Sequence, residues 1–445
     1  MLTKRIAFLA GSYILATLLA GPAYAQQPAQ TTAPVLKLSL NEAVQLGLKQ
    51  NPQRVLATLE VAKSKRASDI SRSFLLPQAS LGAAAALAQY NLHTVEANPP
   101  RKPAGPYQYA EAGPAFSQTV FSLPTIRGYQ AGREGVRQAT ATEEATREDV
   151  VLAVVDQYLL VLRAMATRDA AEARVALARR LFEQAEQLQR TGVGLNIDTV
   201  RANVELQNER QNLIDADTAT RTTRYFLAEL LDLPKEQEVD VTDHMDFFDL
   251  PDMDREELLS RALRVRPEMR AIASEQRISA LQRKSFAEER YPELNFSGFW
   301  MYQGEHFSDG IPAYHYQLSL DFPLFTGGRI HAEIERGKLQ EKEVSEERRQ
   351  LEAQIVREVK SALDELTAAR TAVDVANQGF DLANQEVAQA QRRFAAGVTT
   401  NVEVITAQDA LARASDNQIA ALYRFNQARA ALAHAMGEIE NTYSK

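Results

Sequence analysis

Apolar residues recur at intervals of three and four over very long stretches of this chain. Val373, Ala376, Phe380, Ala383, Val387, Ala390 and Phe394 mark one helical face without a break. Ala171, Val175, Ala178, Phe182 and Ala185 repeat that pattern earlier in the chain. A seam of this kind predicts coiled-coil packing, and its many alanines predict a closely approaching partner helix. The later helix is expected over residues 328–395, roughly 100 Å at the α-helical rise. No ordinary globular core needs such a length. The outer faces carry Gln, Glu and Arg, as over 341–350, and read as solvated. Gly192 and Gly397 each follow a long helix and are suited to a left-handed C-cap. Apolar periodicity restarts at Thr199-Val200 and at Val404-Ile405. Two long antiparallel helical hairpins, each with glycine at its tip, are therefore predicted.

The period changes to two between the helices. Leu294, Phe296, Gly298, Trp300 and Tyr302 alternate with Asn295, Ser297 and Phe299. Tyr314, Tyr316, Leu318, Leu320, Phe322 and Leu324 alternate with His315, Gln317, Ser319 and Asp321. Two strands with one apolar and one polar face follow. Each is long enough to cross a bilayer obliquely, and the tryptophan and tyrosines near the loop suit an interfacial girdle. Phe296, Trp300, Tyr302, Tyr314, Tyr316, Leu318 and Leu320 are the expected membrane-facing positions. An earlier hairpin is weaker. Leu81, Ala83, Ala85 and Leu87 alternate with small residues, and Pro114 is expected to make the return strand bulge or begin late. Four strands cannot close a barrel, and lipid does not tolerate an open sheet edge. Strands that span a membrane would thus require several chains. The alternative is a soluble periplasmic coiled-coil scaffold or adaptor with hairpins packed on its helices.

The two sets of elements are copies. Residues 42–77 align with 257–292, placing Asn51-Pro52 on Arg266-Pro267 and Pro77 on Pro292. Further on, Gly192-Val193 falls on Gly397-Val398, Asn196 on Asn401 and Leu206 on Leu411. A repeat of this size is a duplicated half-molecule rather than a solenoid unit. The expected organisation is a signal peptide over 1–25, a linker over 26–39, a first repeat over 40–233, a connector over 234–254, a second repeat over 255–437 and a tail over 438–445.

Composition adds location and excludes chemistry. Lys4 and Arg5, an apolar run to Ala20 and Ala23-Tyr24-Ala25 form a cleavable export signal. Without those two cations, 48 basic residues face 58 acidic ones, a net charge of −10, which disfavours nucleic acid as a partner. The chain has no Cys, so disulfides, thiol catalysis and thiolate metal sites are excluded. No later run of 18 apolar residues is seen, so any membrane crossing is expected from strands. The six histidines lack metal-ligand spacing, and no nucleophile elbow or phosphate loop occurs. No catalysis, cofactor or metal is expected.

The tip segments Gly192-Val193-Gly194-Leu195-Asn196-Ile197-Asp198-Thr199-Val200 and Gly397-Val398-Thr399-Thr400-Asn401-Val402-Glu403-Val404-Ile405, with Phe322-Pro323-Leu324-Phe325-Thr326-Gly327-Gly328, resemble those of the outer membrane efflux protein family, the TolC-like outer membrane factors. The resemblance spans nearly the whole mature chain. It implies a mainly α protein with a transmembrane β-barrel portion. Three chains would build an α-barrel of long antiparallel coiled-coil helices, with four β-strands per chain contributing to a twelve-stranded outer-membrane barrel. It implies a homotrimer in outer-membrane lipid that passes substrate from an inner-membrane efflux pump or ATP-driven exporter. A periplasmic adaptor (membrane fusion protein) would dock at Gly192, Val193, Gly194, Leu195, Asn196, Gly397, Val398, Thr399, Thr400 and Asn401. Glu403 matches an acidic position that narrows the family's periplasmic aperture; Thr406 stands where a second acid is found in the family. Asp198, the first-repeat counterpart of Glu403, is expected to cap its helix or face outward.

Overall fold

The computed structural model describes residues 35–90, 104–248 and 254–444. The export signal and most of the linker lie outside the described residues. The chain begins with a short strand β1 (Leu36–Leu38) and two helices, α1 (Leu40–Gln50) and α2 (Pro52–Ser73). A hairpin, β2 (Gln78–Tyr90) and β3 (Ala104–Phe121), leads into α3 (Leu123–Arg190) and α4 (Asn196–Leu230). After strand β4 (Val239–Val241) the order recurs: α5 (Arg255–Val265), α6 (Pro267–Glu288), β5 (Glu293–Gly304), β6 (Ile311–Asp321), α7 (Arg329–Ala395) and α8 (Asn401–Ala435). A last helix, α9 (Ile439–Tyr443), follows.

Local chemistry sets the boundaries. Ser39 and Glu42 form a capping box at α1, each satisfying an amide at the start of the helix. Pro52 and Pro267 open the second helix of each pair, and the residue before each is extended. Asn51 caps α2 by accepting from the amide of Gln53 at 2.9 Å, while its Nδ2 donates to the Leu230 carbonyl at 2.8 Å. Its counterpart Arg266 is buried and pairs with Glu268 at 2.6 Å and with Glu358 of α7. Equivalent joints thus lock onto the long helices by an amide in one half and a guanidinium in the other.

The main core lies at mid-height. Val150, Val151, Val154, Val155, Tyr158 and Val161 of α3 pack against Val44, Leu227, Leu231, Val239, Val241 and Ile439. An 18-residue stretch of α3 is apolar enough by length and composition to cross a bilayer, contrary to the reading from sequence. Its valines line this core, which accounts for the composition. The linker and connector meet here, since β1 and β4 pair in parallel, Leu36 opposite Val239 and Leu38 opposite Val241. The Tyr158 hydroxyl lies 2.9 Å from the Leu38 carbonyl and 3.0 Å from Asp243 Oδ2, which also accepts from the Leu40 amide at 2.7 Å. Burial, with the Asp243 carboxylate beside it, pushes this phenol above its usual range, so it remains a neutral donor. A second core joins α5, α7 and α8 around Ile355, Val359 and Phe425. The connector reaches it too, for the rings of Phe247 and Phe248 lie 4.9 and 5.8 Å from that of Phe425.

The two hairpins merge into one antiparallel sheet of order β2-β3-β5-β6. Leu294 pairs with Leu320, Phe296 with Leu318, Gly298 with Tyr316 and Trp300 with Tyr314, so the predicted apolar positions share one face. Leu81, Ala83 and Ala85 continue that face through their partners Pro114, Ala112 and Ala110. Asn295, Ser297, His315, Gln317, Ser319 and Asp321 occupy the other. Pro114 behaves differently from expectation. The β2–β3 ladder runs through it without a shift, whereas the β3–β5 ladder skips Gly113 and Pro114 and resumes at Ala115 opposite Phe299. The missing proline donor therefore removes pairing on one side only. A Cβ on Gly113 would stand 2.2 Å from the Trp300 carbonyl oxygen, so glycine permits the close approach there. Register shifts fall instead between Ala88 and Tyr90 and between Thr119 and Phe121.

Tyr158→Phe leaves the ring in place but strips this mid-height core, the waist of the molecule, of its hydroxyl. A loss of about 1–2 kcal/mol is expected, read as a lower denaturant midpoint with an unchanged slope.

Candidate functional site

Both tips are built by the same backbone device. At the end of α3, Gly192 has φ of +76°, its amide donates to Gln189, and the Val193 amide donates to Leu188. At the end of α7, Gly397 has φ of +70°, with matching bonds to Phe394 and Arg393. These are Schellman closures, and a side chain with a Cβ would be strained at either glycine. The ten residues singled out for the tips all lie in these two turns or at the first position of α4 or α8. Val193 is 77% exposed and Val398 69%, so each tip presents an apolar residue to its surroundings.

Beneath the turns the two hairpins share a core. Leu181 and Ala185 of α3 and Ala202 of α4 pack with Val387, Ala390 and Phe394 of α7 and with Val404 and Ala407 of α8. Five of these positions belong to the predicted seams or their tip continuation. The alanines permit the close spacing, and Phe394 fills the end of the layer.

The tips differ in their polar residues. Asn401 is fully buried, and its Nδ2 donates to the Asp198 carbonyl at 2.8 Å, tying the second tip to the first. Its counterpart Asn196 is exposed and accepts from Gln189 at 3.1 Å within its own turn. Gly194 donates to the Leu188 carbonyl at 2.9 Å. Thr399 occupies the matching place in the second tip, and its hydroxyl donates to Glu403 Oε2. The other carboxylate oxygen of Glu403 lies 3.0 Å from Arg393 Nε. Glu403 is therefore held within its own hairpin, in the first turn of α8 where the helix dipole favours an anion. Asp198 occupies the first turn of α4, with Arg201 at 3.9 Å. Thr406 turns its hydroxyl back to the Val402 carbonyl at 2.9 Å and adds no charge.

At the opposite end, the sheet exposes the face predicted to meet lipid. Tyr314 is 73% exposed and Leu318 64%, and Leu81, Leu87, Trp300, Tyr302, Tyr316 and Leu320 are also open. Phe296 is half-buried, its ring stacked at 6.4 Å on Tyr316. The polar face carries Phe299 stacked on His315 at 5.8 Å and a bond from Gln303 to Glu111 at 3.0 Å.

Sequence reasoning missed two groupings. Arg393 was not singled out, although its place one turn before the glycine puts it opposite the start of α8, 3.0 Å from Glu403. Glu305, His306 and Asp309 converge in the β5–β6 turn, with potential ligand atoms within 4.8 Å of one another and all three residues exposed. The spacing of three between His306 and Asp309 was the available signal.

The sequence model of a family described as "Outer membrane efflux protein" matches residues 43–232 and 258–438. Outer membrane protein TolC of Vibrio cholerae serotype O1 is 21% identical over 413 residues, covering 90% of this chain and 91% of that protein. Among solved structures, the fold is similar to the CmeC outer membrane channel of Campylobacter jejuni, with a TM-score of 0.79 at 16% identity over 90% of this chain and 86% of that one. It is also similar to the outer membrane protein VceC of Vibrio cholerae, with a TM-score of 0.75 at 19% identity over 90% and 96% of the two chains.

Asn401→Ala removes the buried link between the tips. Hydrogen exchange over residues 192–200 is expected to quicken by roughly fivefold, the equivalent of one ordinary hydrogen bond, with the waist unaffected.

Proposed function

Because the chain belongs to the outer membrane efflux protein family, we propose that three copies close a single duct, with twelve strands in the outer membrane and six helical hairpins below. One observation carries this reading: the four-stranded sheet has an extended apolar face, an opposite face that is largely polar on β5 and β6, and, among the described residues, pairing on one side only at β2 and β6. Neither edge can remain open in lipid, and four strands are too few to curl into a barrel. Addition of neighbouring copies, β6 against β2, satisfies both constraints. The helices carry matching open faces, with Leu56, Leu59 and Ile70 on α2 and Leu339, Val375 and Leu382 on α7. A soluble scaffold would instead leave the apolar sheet face in water.

The protein is an outer-membrane efflux component. Its tips, projecting into the periplasm, would receive a periplasmic adaptor through Val193, Leu195 and Val398 with the flanking turn residues. The adaptor would join the duct to an inner-membrane pump or ATP-driven exporter. The hairpins would have to splay for passage, and binding energy must favour the open state for that to occur. Glu403 is the aperture residue in this reading. Its pairing with Arg393 means that each subunit brings both charges to the mouth, so selectivity depends on their balance.

Two measurements test this. Leu318→Arg places a cation on the lipid face, at a cost of about 2–4 kcal/mol if the site lies at the bilayer midplane. Loss of outer-membrane insertion is expected, and normal insertion would remove β6 from the lipid face. Glu403→Ala leaves Arg393 unbalanced, so cation preference in planar bilayers should fall or reverse. Unchanged selectivity would exclude Glu403 from the aperture.

A further inference from the structure

A cavity of about 260 Å³ lies between the two helical hairpins, above the tip core. Its walls are largely apolar, with Leu177 and Ala173 from α3, Phe380 from α7, and Leu411 and Ala412 from α8. Charged groups enter from three helices. Arg174 of α3 has Nε at 3.4 Å from Glu209 of α4 and Nη1 at 3.2 Å from Asp416 of α8. One guanidinium therefore answers two carboxylates. Glu205 of α4 and Asp409 of α8 also line the space, and no cation pairs with either among the described residues. α7 contributes no charge, only Phe380 and Asn384. Gln408 lines the same cavity, and its buried Nε2 donates to nothing among the described residues.

We propose that this cavity is a binding site for a small aryl-alkyl amine that carries a hydroxyl group. The ammonium lies between the half-buried Glu205 and the exposed Asp409 at the rim of the cavity, where two carboxylates supply its counter-charge. The aryl group packs on Phe380, Leu177 and Leu411. The hydroxyl accepts from Gln408 Nε2, satisfying a donor whose burial otherwise costs free energy. Such a ligand touches both hairpins at once and bridges α4 to α8. Burial first, then repulsion from Asp409 and Glu209, raises the Glu205 carboxyl above its ordinary value, and a cation beside it would relieve that repulsion. The proposal concerns binding in the helical wall and is independent of how the duct conducts.

The test is calorimetric titration of the full-length protein in detergent with phenylethanolamine, and with styrene glycol as its neutral counterpart. The amine is expected to bind at least roughly tenfold more tightly than the diol. Glu205→Gln with Asp409→Asn should erase that difference. Ala412→Leu keeps every charge but fills the space, and should abolish binding of both probes. Equal binding of amine and diol, amine affinity unchanged in the double variant, or no binding of the amine to the native protein would each overturn the site.

Discussion

A strand in lipid cannot leave its backbone groups unpaired, and much of this molecule follows from that constraint. Among the described residues the sheet has four strands with β2 and β6 at its edges, so in the proposed duct it is complete only in company. A duplicated half-molecule suits this well. Each half delivers one hairpin to the sheet and one long helical hairpin below it, and the β3–β5 junction joins the halves in continuous antiparallel order. Pro114 is tolerated at that junction because Gly113 lets the Trp300 carbonyl approach while the β2 ladder stays intact. The seam between copies is thus where pairing is locally weakest and packing closest.

The waist solves a different problem. Helices of 68 and 67 residues act as levers, and small angular errors at one end become large displacements at the other. Rigid mid-height joints are needed to hold them. Tyr158, Asp243 and the parallel β1–β4 pair fasten the chain's start to the connector. The connector then lays Phe247 and Phe248 against Phe425 in the second half, and Asn426 donates to the Asp246 carbonyl at 3.2 Å. α9 closes the girdle, since the Ile439 amide donates to Glu148 at 2.9 Å and Glu440 pairs with Arg147. At mid-height, segments outside the duplicated elements thus add to the joints that the sheet and the shared tip core make.

Much of the fold was legible because its elements are long and periodic. The seam from Val373 to Phe394 and the alternation from Leu294 to Tyr302 each repeat often enough to outvote local exceptions. The glycine tips were legible because only a left-handed residue closes such a turn. What escaped depended on contacts between distant residues. β1 and β4 are three residues long and carry no periodic signal, so no element was assigned within the linker or the connector. The valine run of α3 could be mistaken for a membrane span or a core, and only its packing against Val44, Val239 and Ile439 decides. Arg393 falls on a polar helix face in any one-dimensional reading; the antiparallel fold-back brings it to Glu403.

The same comparison separates the two tips in physical terms. Duplication would give them equal roles, yet their polar residues have diverged. In the first tip, Asn196 and Gly194 make bonds only within their own turn. In the second, Asn401 reaches across to the Asp198 carbonyl, while Thr399 and Arg393 hold Glu403 inward on its own hairpin. Moving the second tip away from the first breaks a buried hydrogen bond but leaves the Arg393–Glu403 pair intact, because both partners travel together. In the proposed duct the Arg393–Glu403 pair would thus travel with its own hairpin as a neutral unit, while Asn401, the shared apolar layer and the Arg174–Asp416 pair resist separation. Under the proposed gating, separating the tips would expose no unpaired carboxylate at Glu403, because its cation lies on the same hairpin.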